Sequence, residues 1–249
     1  MKISNFINKV NFKIRAIEEK YTSGNFKDQL SEFREKDIQK RFSINDIDLL
    51  PVLNEATTNT NFDAHYIYHP AWAARIIQQI NPLQHTDISS TLHFCSILSA
   101  FVPTVFYDYR PAVLNLSNLQ SAKADLTKLH FETNSVDSIS CMHTIEHIGL
   151  GRYGDMLDPE GDIRAIQELK RVTKPGGNLL LVTPVGKPRI QFNAHRIYSF
   201  QMIHEQFEGF DLKNFSLVQD NRNFISPADP GLVEEQRYGC GCFWYQKNK

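Results

Sequence analysis

The sequence predicts an α/β protein: a mostly parallel sheet with helices on both faces, preceded by a helical, charged extension. Three observations predict it. Short, nearly continuous apolar runs occur at His85–Ser90, Val105–Tyr109, Val136–His143, Asn178–Val185, Phe215–Gln219 and Cys240–Gln246, as strands buried on both faces require. Helical patterns lie between several of them, notably Asp162–Val172 and Ser199–Phe207, and such alternation is how parallel neighbours are joined. The texture also changes near Asn61. Residues 18–60 are charge-rich and broken by Ser23-Gly24 and Thr57-Thr58-Asn59-Thr60, so residues 1–60 read as extension and linker and residues 61–249 as the domain.

Taken in order, Ile3, Phe6, Ile7, Val10, Ile14 and Ile17 fall at helical spacing, with Lys2, Lys9, Lys13 and Arg15 mostly on the other face. Such a helix docks on its own domain or on a second subunit of a homo-oligomer, and its basic face also suits peripheral contact of residues 1–17 with an anionic membrane. Pro70 opens the helix PAWAARIIQQI, stopped at Asn81-Pro82, because proline is tolerated in a first turn. The run Asp63 to His69 either caps the cleft or packs at the start of that helix. The strands then follow, and in such sheets ligands bind beyond the carboxyl ends of the strands.

Composition narrows the function. With 249 residues, 41% hydrophobic, 27 Lys+Arg against 28 Asp+Glu and 4 Cys, the chain is neither disordered, collagenous nor disulfide-built. A net charge of -1 offers no field for a long nucleic acid. Cys95, Cys141, Cys240 and Cys242 form no CxxC and three sit in apolar runs, so they read as reduced packing residues of a cytoplasmic protein. The apolar stretches Ile97 to Phe106 and Leu179 to Val185 are shorter than the roughly 20 residues of a membrane span. The N-terminus lacks the apolar core and cleavage site of a secretory signal.

Four landmarks carry chemistry. Asp87-Ile88-Ser89-Ser90 closes the first strand, and Asp108 ends the second, at the spacing where a carboxylate accepts ribose hydroxyls in nucleotide-binding sheets. Asp125-Leu126 precedes the strand that runs into His143-Thr144-Ile145-Glu146-His147. Last, Glu168 to Val172 leads into Lys174-Pro175-Gly176-Gly177 and an apolar strand. His-x-x-Glu-His also spells an inverted zinc-protease motif. Here it follows a β-type run and meets Gly149 and Gly151, so no long helix can carry it.

In this order, Asp125 to Phe131, Val136 to Ile139, Ile145 to His147 and Glu168 to Gly177 resemble the class I S-adenosylmethionine-dependent methyltransferases. The family's D-x-x-x-L-P-F-like turn, F-D-x-V strand ending in L-E-H, and E-x-x-R-V-L-K-P-G-G segment recur in that order. The resemblance spans residues 84–220. It implies a Rossmann-like fold with a seven-stranded, mostly parallel sheet, S-adenosyl-L-methionine as cofactor, and a methyltransferase activity. It further implies that Asp87 and Ser89 shape the cofactor loop, that Asp108 holds the ribose, that Asp125 and Leu126 border the adenine, and that His143 lies at the methyl donor. More narrowly, HTIEHIGLGRYGD resembles an uncharacterised methyltransferase-like family associated with surface-glycan biosynthesis. That implies transfer to oxygen of a small polar acceptor: a sugar, glycan precursor or nucleotide-linked sugar.

One departure sets up the alternative. The family's first loop is glycine-rich, yet Asp87 is followed by Ile88, Ser89, Ser90 and Thr91, and serine does not enter positive φ freely. The loop then differs in shape, or binds cofactor weakly, or belongs to a non-catalytic binding or scaffold protein. The HTIEH cluster also resembles the metal-binding cluster of small-RNA and ubiquinone-pathway O-methyltransferases. This implies a divalent ion on His143, Glu146, His147 and His195, with histidine favouring Zn, Fe or Mn. In the metal-free alternative Glu146 and His147 are a strand-end pair, and His147 or His195 is the general base, since a pKa near 6.5 suits that task. The glycine-rich loop from Gly149 to Gly161 lies where an acceptor binds: Tyr153 to stack, Arg152 to hold an anion, and Arg196 beside His195 as a further substrate contact.

Overall fold

The structure, a computed structural model, describes residues 24–249. The amphipathic pattern of residues 1–17 lies outside them. The chain divides into two compact units, Met1–Asn61 and Phe62–Lys249. In the first, helix α1 (Gly24–Lys36) precedes a 3₁₀ turn at Asp46–Asp48. Arg34 pairs with Asp46 at 2.7 Å, an exposed contact of small energetic weight. No side chain from 25 to 61 is buried, so this stretch has no core of its own.

The second unit opens with helix α2 (Ala64–Ile80). It begins earlier than the proline suggests, because the Asp63 side chain caps it by accepting from the Tyr66 N–H. Pro70 therefore sits inside the helix, where it supplies no N–H to the carbonyl four residues back. Strand β1 (His85–Ile88), helix α3 (Leu92–Leu98), β2 (Thr104–Asp108), β3 (Leu119–Lys123) and β4 (Val136–Met142) follow. Next come helix α4 (Gly161–Val172), β5 (Thr173–Val185), and a two-stranded ribbon of β6 (Arg189–Gln191) and β7 (His195–Ile197). Helix α5 (Phe200–His204), β8 (Phe210–Val218), β9 (Phe224–Ile225) and β10 (Gly239–Lys247) complete the order.

The main sheet runs β3-β2-β1-β4-β5-β10-β8-β9. Pairs from β3 to β5 are parallel, and β10 is antiparallel to both β5 and β8. This is the expected mostly parallel, Rossmann-like sheet, with eight strands in place of seven. The addition is the two-residue β9, an edge pairing of Leu217 with Ile225 and Val218 with Phe224. The Lys174–Gly177 segment is a bulge within β5, since Val136 pairs with Thr173 but Ser138 with Asn178.

Alternation along β5 divides the core. Leu179 and Leu181 pack with Ile139, Ile166, Leu169 and Phe243 on one face, while Leu180 and Val182 pack with Ile77, Leu98, Met142 and Trp72 on the other. Cys240 and Cys242, two apart on β10, share that second face. Among the described residues no helix is long and apolar enough to cross a membrane.

Candidate active site

The first side of the site is the loop after β1. Asp87 is fully buried and its carboxylate accepts from the Ser90 N–H at 3.0 Å and from the Ser140 hydroxyl. Burial pushes this carboxyl above its ordinary value. Asp87 therefore supports the loop from beneath and does not line the cleft, unlike the cofactor contact expected of it. Further stitches hold the loop to β4 and β2: Met142 N–H donates to Ser90 Oγ (3.1 Å), Thr144 hydroxyl donates to the Ser89 carbonyl (3.0 Å), and Ser89 N–H donates to the Tyr107 carbonyl (2.7 Å).

Held this way, Ser89 adopts φ +57°, the left-handed region where glycine was expected. The backbone thus keeps a glycine-like path without glycine. Ser89→Gly removes a Cβ from a conformation that disfavours it. We expect it to raise stability by about 1 kcal/mol in urea denaturation, with the loop unchanged. A destabilised variant would mean that the Ser89 hydroxyl, which donates to Tyr107 O at 3.2 Å, matters more than the strain.

The second side is the turn at the end of β4. His143 is buried with φ +55°, and its Nδ1 lies 2.9 Å from Glu146 Oε1. Glu146 is 1% exposed and its second oxygen, Oε2, has no protein partner. His147 Nδ1 lies 2.6 Å from the Ala194 carbonyl, so the network assigns the proton to Nδ1 and the lone pair to Nε2. That Nε2 is 3.9 Å from Glu146 Oε1. His195, on β7, has a buried Nε2 without partner and packs 5.0 Å from the Tyr238 ring. Burial, then the neighbouring His147, holds its pKa below the ordinary histidine value.

The third side is the loop between the turn and α4. Asp155 ties it down by accepting from the N–H groups of Gly149 (2.7 Å), Gly151 (3.3 Å) and Tyr153 (3.2 Å). Guanidinium groups of Arg110 and Arg152 lie 4.8 and 5.1 Å from the Tyr153 ring centroid. Arg152 also donates to the Ala194 carbonyl at 3.2 Å. Arg196 differs from expectation. It is 5% exposed and its guanidinium donates to the carbonyls of Ile148, Asp158 and Pro159, so it clamps the loop from behind and is not free for a substrate.

These sides enclose a cavity of about 590 Å³. Of the residues singled out in the sequence, Ser89, His143, Glu146, His147, Arg152, Tyr153 and His195 line it together. Asp108 ends β2 outside this lining, its Oδ1 accepting from the Arg110 N–H at 2.7 Å. Asp125 accepts from the Thr127 N–H and hydroxyl, and Leu126 is buried in the core cluster beside Ile88. Tyr66, from the Asp63–His69 run that the sequence offered as a cap on the cleft, lines the cavity, and so does Tyr238, which no motif announced. Tyr66 stands in the aromatic run on α2, whereas only folding brings Tyr238 near.

The expected metal quartet does not gather. Among the described residues, the group of three or more His, Cys, Asp or Glu ligand atoms lying within 4.8 Å of one another is His65, His143 and Cys240. His147 and His195 stay apart from it because each is fixed elsewhere: His147 to the Ala194 carbonyl, His195 on the β6–β7 ribbon with its ring centroid 6.3 Å from that of His147.

Residues 111–227 match a family described as "Caenorhabditis protein of unknown function, DUF268". No curated protein matches the sequence. The fold is similar to that of N-methyltransferase NodS from Bradyrhizobium japonicum, solved with S-adenosyl-L-homocysteine: TM-score 0.51, 12% identity, covering 72% of this chain and 86% of that one. It is also similar to YcgJ from Bacillus subtilis, with TM-score 0.50, 13% identity and coverage of 72% and 99%. A third is 1,6-didemethyltoxoflavin-N1-methyltransferase from Burkholderia thailandensis, with TM-score 0.50, 9% identity and coverage of 73% and 79%. The class I methyltransferase fold is therefore shared.

Proposed function

We propose that the chain is an S-adenosylmethionine-dependent methyltransferase that methylates oxygen of a small polar acceptor, such as a sugar, glycan precursor or nucleotide-linked sugar. The observation that carries this reading is Ser89 in the left-handed conformation, facing the same cavity as His143, His147 and His195. The loop keeps the path that lets a backbone approach a cofactor, and a volume of about 590 Å³ suits small ligands. The Ser89–Thr91 loop and His143 would hold the methyl end of the cofactor there, and Asp108, which ends β2 outside this lining, would take the ribose beyond it.

When bound, S-adenosylmethionine supplies an electrophilic methyl whose carbon–sulfur bond breaks as the acceptor oxygen bonds to it. The chain's own residues do the rest. His195, kept neutral near pH 7 by its lowered pKa, is the base that takes the hydroxyl proton. Glu146 fixes the ring of His143, and the Ala194 carbonyl fixes that of His147. Tyr153, exposed at the cavity, offers its ring for stacking, and Arg152 offers charge to an anionic group.

Calorimetric titration with S-adenosylhomocysteine tests the cofactor half. We expect micromolar affinity, weakened roughly tenfold or more in Asp108→Ala, since a hydrogen bond to a charged group is worth about 1.5–3 kcal/mol. A folded wild-type sample that binds none would overturn the reading and favour a scaffold protein.

A further inference from the structure

We propose that His65, His143 and Cys240 bind a divalent metal ion of the zinc class, at a site distinct from the histidine pair of the acceptor cavity. These residues come from α2, the end of β4 and β10, yet their ligand atoms all lie within 4.8 Å of one another. His143 Nε2 and Cys240 Sγ are 3.4 Å apart. Around a tetrahedral ion with metal–sulfur and metal–nitrogen bonds of about 2.3 and 2.0–2.1 Å, that edge is about 3.5 Å. The spacing suits an ion between them.

The surroundings are those of a ligand set. His143 turns its Nδ1 to the Glu146 carboxylate at 2.9 Å and its Nε2 to Cys240 Sγ, so a neutral ring protonated at Nδ1 would present its Nε2 lone pair on the Cys240 side. A carboxylate behind a histidine in this way is the usual support of a metal-bound imidazole. An independent sign comes from His69, one helical turn after His65 and fully buried. Its Nδ1 lies 2.6 Å from the His65 carbonyl, so that nitrogen carries the proton, and its buried Nε2 lone pair has no protein partner. Such an orphan is uncommon in a folded interior. The His69 ring lies 4.9 Å from that of His143, edge to face, so this unpartnered histidine borders the cluster, whose ligand atoms remain those of His65, His143 and Cys240. Imidazole with thiolate selects borderline and soft ions over magnesium or calcium. This inference does not depend on the methyl-transfer reading.

The test uses the full chain, purified without a histidine tag, stripped with chelator and reloaded with zinc or cobalt. We expect about one ion per chain, retained through gel filtration, and a thiolate-to-cobalt charge-transfer absorption in the cobalt form. Cys240→Ser should abolish that absorption, and half-buried His65→Ala should weaken zinc binding roughly tenfold or more. His195→Ala should leave both unchanged. Circular dichroism checks that each variant folds. A folded wild-type chain that takes up no stoichiometric zinc overturns the proposal, as does binding undiminished in His65→Ala and Cys240→Ser. Failure of cofactor titration alone leaves it standing.

Discussion

Gly149→Ala should destabilise the protein by roughly 3 kcal/mol or more, seen as a melting temperature lower by about 6–12 °C. A Cβ at this position would lie 2.0 Å from the Asp158 carbonyl oxygen, which is backbone and cannot swing away. The glycine also holds φ +80°. Gly149 and Asp158 are bound to each other besides, through the Asp158 N–H on the Gly149 carbonyl at 2.9 Å, so any relief opens the base of the loop from Gly149 to Gly161. Gly154→Ala is the control. It has a similar φ of +84° but nothing within 4 Å of its Cβ, and should cost about 1 kcal/mol from the backbone alone. Equal losses in the two variants would show that conformation, not the clash, sets the effect.

The second large effect depends on pH. His85 is fully buried between two serines, with Nδ1 2.8 Å from Ser138 Oγ and Nε2 2.8 Å from Ser140 Oγ. Because Ser140 donates its hydroxyl to Asp87, it accepts from His85 Nε2–H, and Ser138 donates to Nδ1. The ring is neutral, and burial lowers its pKa from 6.5 to about 3. Between those values the unfolded chain binds more protons than the folded one. The stability from neutral His85 is therefore full above pH 6.5 and is lost progressively as pH falls toward 3, on the order of 5 kcal/mol across the window. Asp87, with its raised pKa, acts in the opposite sense, adding stability as pH falls. Comparing wild type with His85→Gln in urea denaturation between pH 7.5 and 4 isolates the histidine. The variant should show the flatter acid limb; parallel curves would refute the assignment.

The parts of the fold that were legible in the sequence are those where burial writes itself into composition. Strands β4, β5 and β10 are covered on both faces and read as apolar runs. Strand β3, LQSAK, is an edge element with one buried residue, so nothing in it announces a strand. The β6–β7 ribbon and β9 were equally silent, because strands of three and two residues are too short to display a period-2 pattern. Pro70 misled because a good cap at Asp63 outweighs one missing donor. At the site, the HTIEH turn and its loop were legible as a cluster, but the direction of a side chain was not. Asp87 and Arg196 are of the right type at the right place and still turn inward, since each satisfies backbone groups that would otherwise be orphaned. The His65/His69 spacing and the Cys240/Cys242 alternation were visible, yet only the fold sets α2 against β10.

The placement of β10 has a consequence for synthesis. Among the described residues it is the latest of ten strands in chain order, yet it lies between β5 and β8, with Gly239 opposite Val185. Until it has left the ribosome, β5 and β8 each expose an unpaired edge, and such nascent intermediates are open to aggregation. Tyr238 and Cys240 arrive with it. The cavity wall and the His65/His143/Cys240 cluster therefore close in the same late event that closes the sheet, and a prematurely terminated chain would lack the site and keep the sticky edges.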